Sequence, residues 1–145
     1  GPVRPPPGDV TLSHQNLYAG SLPTLTAQRI ATGVETLLDA RPPERYRGDD
    51  DPVDPVAGHI PNATNLPCTA VLADDGSFLD EAALTRLLVD RGVDAAGAGV
   101  YCGSGITATV TIAALATLGH RAALFPGSWS EWSSDAGRGV ARGSD

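Results

Sequence analysis

Apolar residues in this chain come in short runs punctuated by glycine, proline and aspartate. Thr24 and Thr26 precede a segment through Ile30 and Ala31 that Gly33 follows, so the spacing predicts a first helix capped by one threonine and closed by the glycine. Val34 to Asp39 reads as a buried strand, and a second short strand is expected near Ala63 to Leu66. Asp80 starts a helix to about Asp90, with Leu84, Leu87 and Leu88 on its apolar face. Val100 and Tyr101 end a third buried strand, and Ile106 to Leu118 has the length and Ala/Leu content of a buried helix. Ala122 to Phe125 is a last strand, and Ser128 to Trp132 a short helical turn. The linking segments are turns and loops: Arg41 to Arg47 crowds three arginines into one turn, Gly48 to Val56 is acidic and proline-rich, and Asp74-Asp75-Gly76-Ser77 reverses the chain. Strands alternating with helices predict an α/β sandwich on a mostly parallel sheet.

Such sheets bind ligands at the carboxyl ends of their strands. Two candidate segments leave such ends here, Arg41 to Arg47 and Cys102 to Thr107, and the fold can bring them to one pocket. Cys102 sits in a strand-to-helix turn followed by Gly103, Ser104 and Gly105. The two glycines can take positive φ and curl backbone N–H groups around the sulfur. The helix start adds positive potential, which favours the nucleophilic thiolate. Cys68, in Asn-Leu-Pro-Cys-Thr-Ala, has no such loop and reads as a small apolar side chain. A cysteine phosphatase needs an arginine six residues after the cysteine to grip phosphate, and Ala108 stands there.

The length of 145 residues fits one domain that buries roughly two thirds of its unfolded surface. A net charge of −7 disfavours nucleic acid or an anionic membrane as partner. All ten basic residues are arginines, so an anionic substrate meets guanidinium and backbone N–H groups, never a lysine. Two cysteines without a disulfide framework, no signal peptide and no membrane-length apolar run place the expected location in the cytoplasm. Three histidines and two isolated cysteines give no metal-ligand spacing, and no cofactor is expected. The chain lacks methionine, so it reads as a fragment or processed form: residues 1–22 a proline-rich linker with a cleavage scar at Gly1-Pro2, 23–140 the catalytic domain, 141–145 a tail.

Four segments in order resemble the rhodanese family of sulfurtransferases: Asp39-Ala40-Arg41 with Arg45, Gly58-His59-Ile60-Pro61 leading to Asn65-Leu66-Pro67, Cys102 to Thr107, and Phe125 to Trp132. The resemblance implies a three-layer sandwich with helices on both faces of the sheet. Cys-Gly-Ser-Gly-Ile-Thr is similar to the active loop of 3-mercaptopyruvate sulfurtransferases, whereas thiosulfate-preferring members carry cationic residues after the cysteine. By this likeness Cys102 forms a covalent persulfide, and Gly103, Gly105, Ile106 and Thr107 line the substrate. Ser104 either relays a proton to the departing enolate or bonds to backbone. Arg45 matches a position that binds the substrate carboxylate, while a second family arginine is replaced by Asp54. Arg41 either braces the loop through an ion pair or contacts substrate. His59 lies in a segment that is largely structural in the family, and Trp129 and Trp132 are expected as core aromatics.

The implied partners are a small sulfur donor, a thiol acceptor such as thioredoxin or a sulfur-acceptor protein, and an N-terminal rhodanese domain. The match is to the second half of two-domain members, whose active site lies between the halves, so a solitary domain is expected to load sulfur poorly. A non-enzymatic persulfide carrier needs the same cysteine cradle and is the alternative reading.

Overall fold

A computed structural model describes residues 22–49, 56–103, 107–135 and 137–143. Ser104, Gly105, Ile106, Asp54 and nearly all of the expected linker lie outside these described residues. The elements run α1 (Ala27–Thr32), β1 (Leu37–Asp39), α2 (Pro43–Arg47), β2 (Thr64–Asn65), a 3₁₀ helix (Cys68–Val71), α3 (Glu81–Asp90), β3 (Gly99–Tyr101), α4 (Ala108–Thr117), β4 (Ala123–Leu124) and α5 (Ser128–Ser134).

The helix boundaries follow local chemistry. Thr26 accepts the Arg29 amide as N-cap of α1, and Gly33 at φ +118° ends that helix. Asp80 accepts the Ala83 amide and starts α3. The crowded arginine turn is in fact α2: Pro43 enters at its first position, where a missing N–H costs nothing, and Gly48 closes it in the left-handed region. The first and last strands are shorter than their apolar runs, because only Leu37–Asp39 and Ala123–Leu124 pair.

The four strands are parallel in the order β2-β1-β3-β4. Register places Asp39 beside both Asn65 and Tyr101. Strand alternation divides the core in two. Leu38 and Val100 face a cluster with Leu84, Leu88, Ile112 and Leu115 from α3 and α4, which also holds Cys102. Leu37 and Tyr101 face Ile30 of α1, Tyr46 of α2, Trp129 and Trp132 of α5, and Phe125 just after β4. Helices thus cover both faces and leave the carboxyl ends of β1 and β3 adjacent at one edge of the sandwich.

One charge pair lies inside this core. Asp39 and Arg41 are 0% and 1% exposed, and the Arg41 guanidinium donates to the Asp39 carboxylate through Nε and, at 2.8 Å, through Nη2. Nη2 also donates to the Gly58 carbonyl at 2.6 Å. The guanidinium carbon stands 4.9 Å from the Trp129 ring and 5.9 Å from Tyr101. Gly58 delivers its carbonyl from a backbone at φ +121°, and any Cβ there would press on the Ala141 carbonyl oxygen and on Val140. Ala141 is held antiparallel to His59 by a reciprocal pair of backbone bonds of 2.8 and 2.9 Å.

Gly58→Ala should destabilise the fold by about 1–3 kcal/mol through backbone strain, read as a lowered urea midpoint with unchanged m-value. Asp39→Asn strands the buried guanidinium and should cost roughly 3–5 kcal/mol by the same assay.

Candidate active site

Cys102 follows β3 directly and is 1% exposed. Its backbone is fixed on both sides by the segment around α5. The Cys102 N–H donates to Ser128 Oγ at 3.2 Å, and that hydroxyl donates in turn to the Phe125 carbonyl at 2.8 Å. The Cys102 carbonyl accepts from the Trp129 N–H at 2.9 Å. One residue on, the Gly103 carbonyl accepts both the Ser130 N–H at 3.1 Å and its Oγ at 2.8 Å. Ser128 is buried at φ +55°, a backbone that a non-glycine residue adopts only under constraint. Neither Ser128 nor Ser130 was singled out from sequence as functional; the turn signal Pro126-Gly127 marks the reversal but not its hydrogen bonds.

Arg45 projects from α2 toward the same turn. A Cβ added to Gly103 would lie 3.1 Å from Arg45 Nη2 and 3.7 Å from Nη1. Gly103 can take positive φ, yet it lies outside the left-handed region. Its lack of a side chain admits the guanidinium instead. The two segments that leave β1 and β3 therefore meet, as a shared strand-end pocket requires. Thr107 is half-buried just before α4 and accepts the Val110 N–H through its carbonyl.

Arg41 is the second cation at this edge, but the pair with Asp39 and the bond to Gly58 hold it inside the core. That geometry braces the corner where β1 ends. Asn65 completes the brace by donating from Nδ2 to the carbonyls of Asp39 and Arg41, each at 3.0 Å. Tyr101 accepts the Ile60 N–H at 3.0 Å. Burial first, then the Asp39 charge, push its phenol well above the ordinary tyrosine range, so it stays neutral. His59 stacks on Tyr46 at 3.7 Å between ring centroids, and its Nδ1 lies 2.6 Å from the Tyr46 carbonyl. It is fully buried and serves the core. Trp129 and Trp132 are core aromatics as expected, with indole N–H groups donated to the carbonyls of Val56 and Gly139.

Cys68 opens the 3₁₀ helix, half-buried, and its N–H donates to the Ala40 carbonyl at 3.0 Å. Among the described residues no cluster of His, Cys, Asp or Glu side chains is arranged to hold a metal, and no helix is long and apolar enough to cross a membrane.

Known proteins resemble this chain in sequence and in fold. The chain is 61% identical over 144 residues to a protein of Mycobacterium tuberculosis provisionally named thiosulfate sulfurtransferase SseB, covering 99% of this chain and 51% of that one. It is 46% identical over 125 residues to a protein of Pseudomonas aeruginosa named a probable 3-mercaptopyruvate sulfurtransferase, covering 83% and 43%. The chain thus spans about half the length of these curated relatives. Tum1 from Saccharomyces cerevisiae superposes with a TM-score of 0.72 at 23% identity over 84% of this chain and 47% of Tum1, a likeness of fold alone. The family model for the rhodanese-like domain matches residues 22–135, from just before α1 to the end of α5, and on that match the chain belongs to the rhodanese-like family.

Proposed function

We propose that this domain is a sulfurtransferase in which Cys102 takes a sulfur atom from 3-mercaptopyruvate as a persulfide and passes it to a thiol or to cyanide. The observation that carries the reading is the guanidinium of Arg45 set against Gly103, one residue from the cysteine. That spacing suits a small substrate whose carboxylate pairs with the arginine while its sulfur meets the thiolate. Relatives named for sulfur transfer support the reaction class, although their names divide between thiosulfate and 3-mercaptopyruvate.

The chemistry balances without a cofactor. The Cys102 thiolate attacks the donor sulfur and the carbon–sulfur bond breaks. Its electron pair goes to carbon as pyruvate enolate, which takes a proton. Ser104 is the proposed route for that proton. An acceptor thiolate or cyanide then attacks the outer sulfur and releases Cys102. With thiosulfate the same attack expels sulfite, a dianionic reaction that favours further positive charge beside the sulfur. Gly103 and Ser104 supply none, and this is why mercaptopyruvate is the donor we favour.

The other half of the relatives' length corresponds, in our reading, to a preceding rhodanese domain that completes the pocket wall. The Ser128, Trp129 and Ser130 bonds hold the backbone of Cys102 and Gly103 still, so binding energy goes into aligning the donor.

On incubation with 3-mercaptopyruvate, Cys102 should gain the mass of one sulfur atom and pyruvate should appear in equal amount, while Cys102→Ser gains nothing; sulfite from thiosulfate outpacing pyruvate from mercaptopyruvate would reverse the donor assignment. Arg45→Ala should raise KM for mercaptopyruvate about ten- to a hundredfold, the worth of a charge-assisted hydrogen bond of roughly 1.5–3 kcal/mol, with Arg45→Lys intermediate in steady-state assays.

A further inference from the structure

Arg45 sits on a helix too short to hold its own direction. α2 has five residues, and a helix of that length gains too little from its internal hydrogen bonds to persist in water. Part of what fixes it comes from the far end of the chain. Residues 137–143 follow α5 and return to the loops on either side of the Gly58 turn as a strap. The strap is pinned near its start, where Trp132 Nε1 donates to the Gly139 carbonyl at 2.8 Å and the Arg138 guanidinium carbon stands 5.1 Å from the Trp132 ring. Further on it reaches both residues that follow Arg45. The Gly143 N–H donates to the Arg47 carbonyl at 2.8 Å. Ala141 exchanges two backbone bonds with His59, whose ring stacks on Tyr46 and whose Nδ1 lies 2.6 Å from the Tyr46 carbonyl oxygen.

Two glycines let these segments meet. Gly48 closes α2 at φ +81°, and a Cβ on it would lie 3.1 Å from the Gly58 nitrogen and 3.2 Å from Arg142 Cγ. A Cβ on Gly58 would in turn press on the Ala141 carbonyl oxygen. The end of α2, the Gly58 turn and the strap therefore touch through backbone, with no side chain of either glycine between them to absorb movement. The strap itself lies at the surface, with Gly139, Val140, Arg142 and Gly143 exposed. Hydrogen bonds hold it more than buried apolar area does, and such an element opens more readily than the core.

We propose that residues 137–143 are a positioning strap for Arg45, acting through Ala141 and Gly143, and that the affinity of the site for a carboxylate donor depends on the strap being closed. The proposal rests on the reading of Arg45 as the group that pairs with the substrate carboxylate. Closed, the strap steadies α2 with the guanidinium against Gly103. Open, α2 loses the Gly143 bond and the His59 ring loses its backbone anchor, and small displacements of a binding group are costly. Cys102 keeps the backbone bonds it makes with Ser128 and Trp129, to which the strap contributes nothing. The strap thus acts on binding of the donor and leaves the attack by sulfur unchanged.

The test follows persulfide formation on Cys102 by intact mass as 3-mercaptopyruvate is varied. It compares the unaltered chain with one ending at Ala141, which loses the Gly143 bond but keeps the bridge to His59, and with one ending at Asp135, which loses both. Each is also made with Arg45→Ala. The half-saturating donor concentration is expected to rise about two- to tenfold in the chain ending at Ala141, the worth of one hydrogen bond, and further in the chain ending at Asp135. The limiting rate at saturation is kept, and neither truncation adds to the loss already caused by Arg45→Ala. An unchanged half-saturating concentration in the truncated chains, beside a raised one in Arg45→Ala, would overturn the strap alone. So would a rise of equal size with and without Arg45, which marks general loosening, or a fall in the limiting rate only. If the chain ending at Asp135 does not fold by circular dichroism, the one ending at Ala141 decides. An unaltered chain that never loads, or an Arg45→Ala chain that loads as the unaltered one does, would remove the carboxylate reading and the strap together.

Discussion

The ion pair of Asp39 and Arg41 is the constraint around which the rest of this domain is arranged. Removing two charges from water is costly, and an apolar pair of similar size would often be at least as stable. What the pair supplies is position. A planar guanidinium can satisfy a carboxylate, a carbonyl and an aromatic face at once, which lysine cannot. Here one side chain ties the end of β1 to the Gly58 carbonyl and to rings from β3 and α5. Asn65 binds the same corner from β2. With that corner set, α2 leaves β1 in the one direction that brings Arg45 to Gly103.

Cys102 is anchored by chain remote from it in sequence. Cys102 and Gly103 have their backbone groups satisfied by Ser128, Trp129 and Ser130, so the cysteine hangs between the end of β3 and the start of α5. Packing then closes its far side, since Trp129 is fully buried against Arg41. The position of Cys102 is in this way a property of the core, and small shifts in either aromatic or charged partner are transmitted to the sulfur.

Much of this was legible in the sequence, for identifiable reasons. Thr26, Gly33 and Asp80 declare helix ends because capping is local chemistry. Cys102 stands out because it ends an apolar run and opens a glycine-spaced loop, and Arg45 because the likeness to the rhodanese family marks its position. The helix from Pro43 to Arg47 was read as a turn, since paired prolines signal interruption and the same residue is favourable at a helix start only when the chain has already bent. Ser128 and Ser130 gave no signal: a hydroxyl that bonds to backbone across the sheet has no sequence period. Gly103 was noticed for the wrong property, because a glycine that makes room for a distant arginine looks in sequence like one that permits a turn.

The short antiparallel bridge between His59 and Ala141 has a consequence for how the molecule is made. During synthesis the sheet, the arginine brace and the cysteine all leave the ribosome before Ala141 does. Until it arrives, the loop at Gly58 and His59 lacks the pair of backbone bonds that Ala141 supplies. The bridge thus acts as a latch in time as well as in space: the site reaches its working geometry only when the polypeptide past α5 has been delivered and has closed back on the loop at His59.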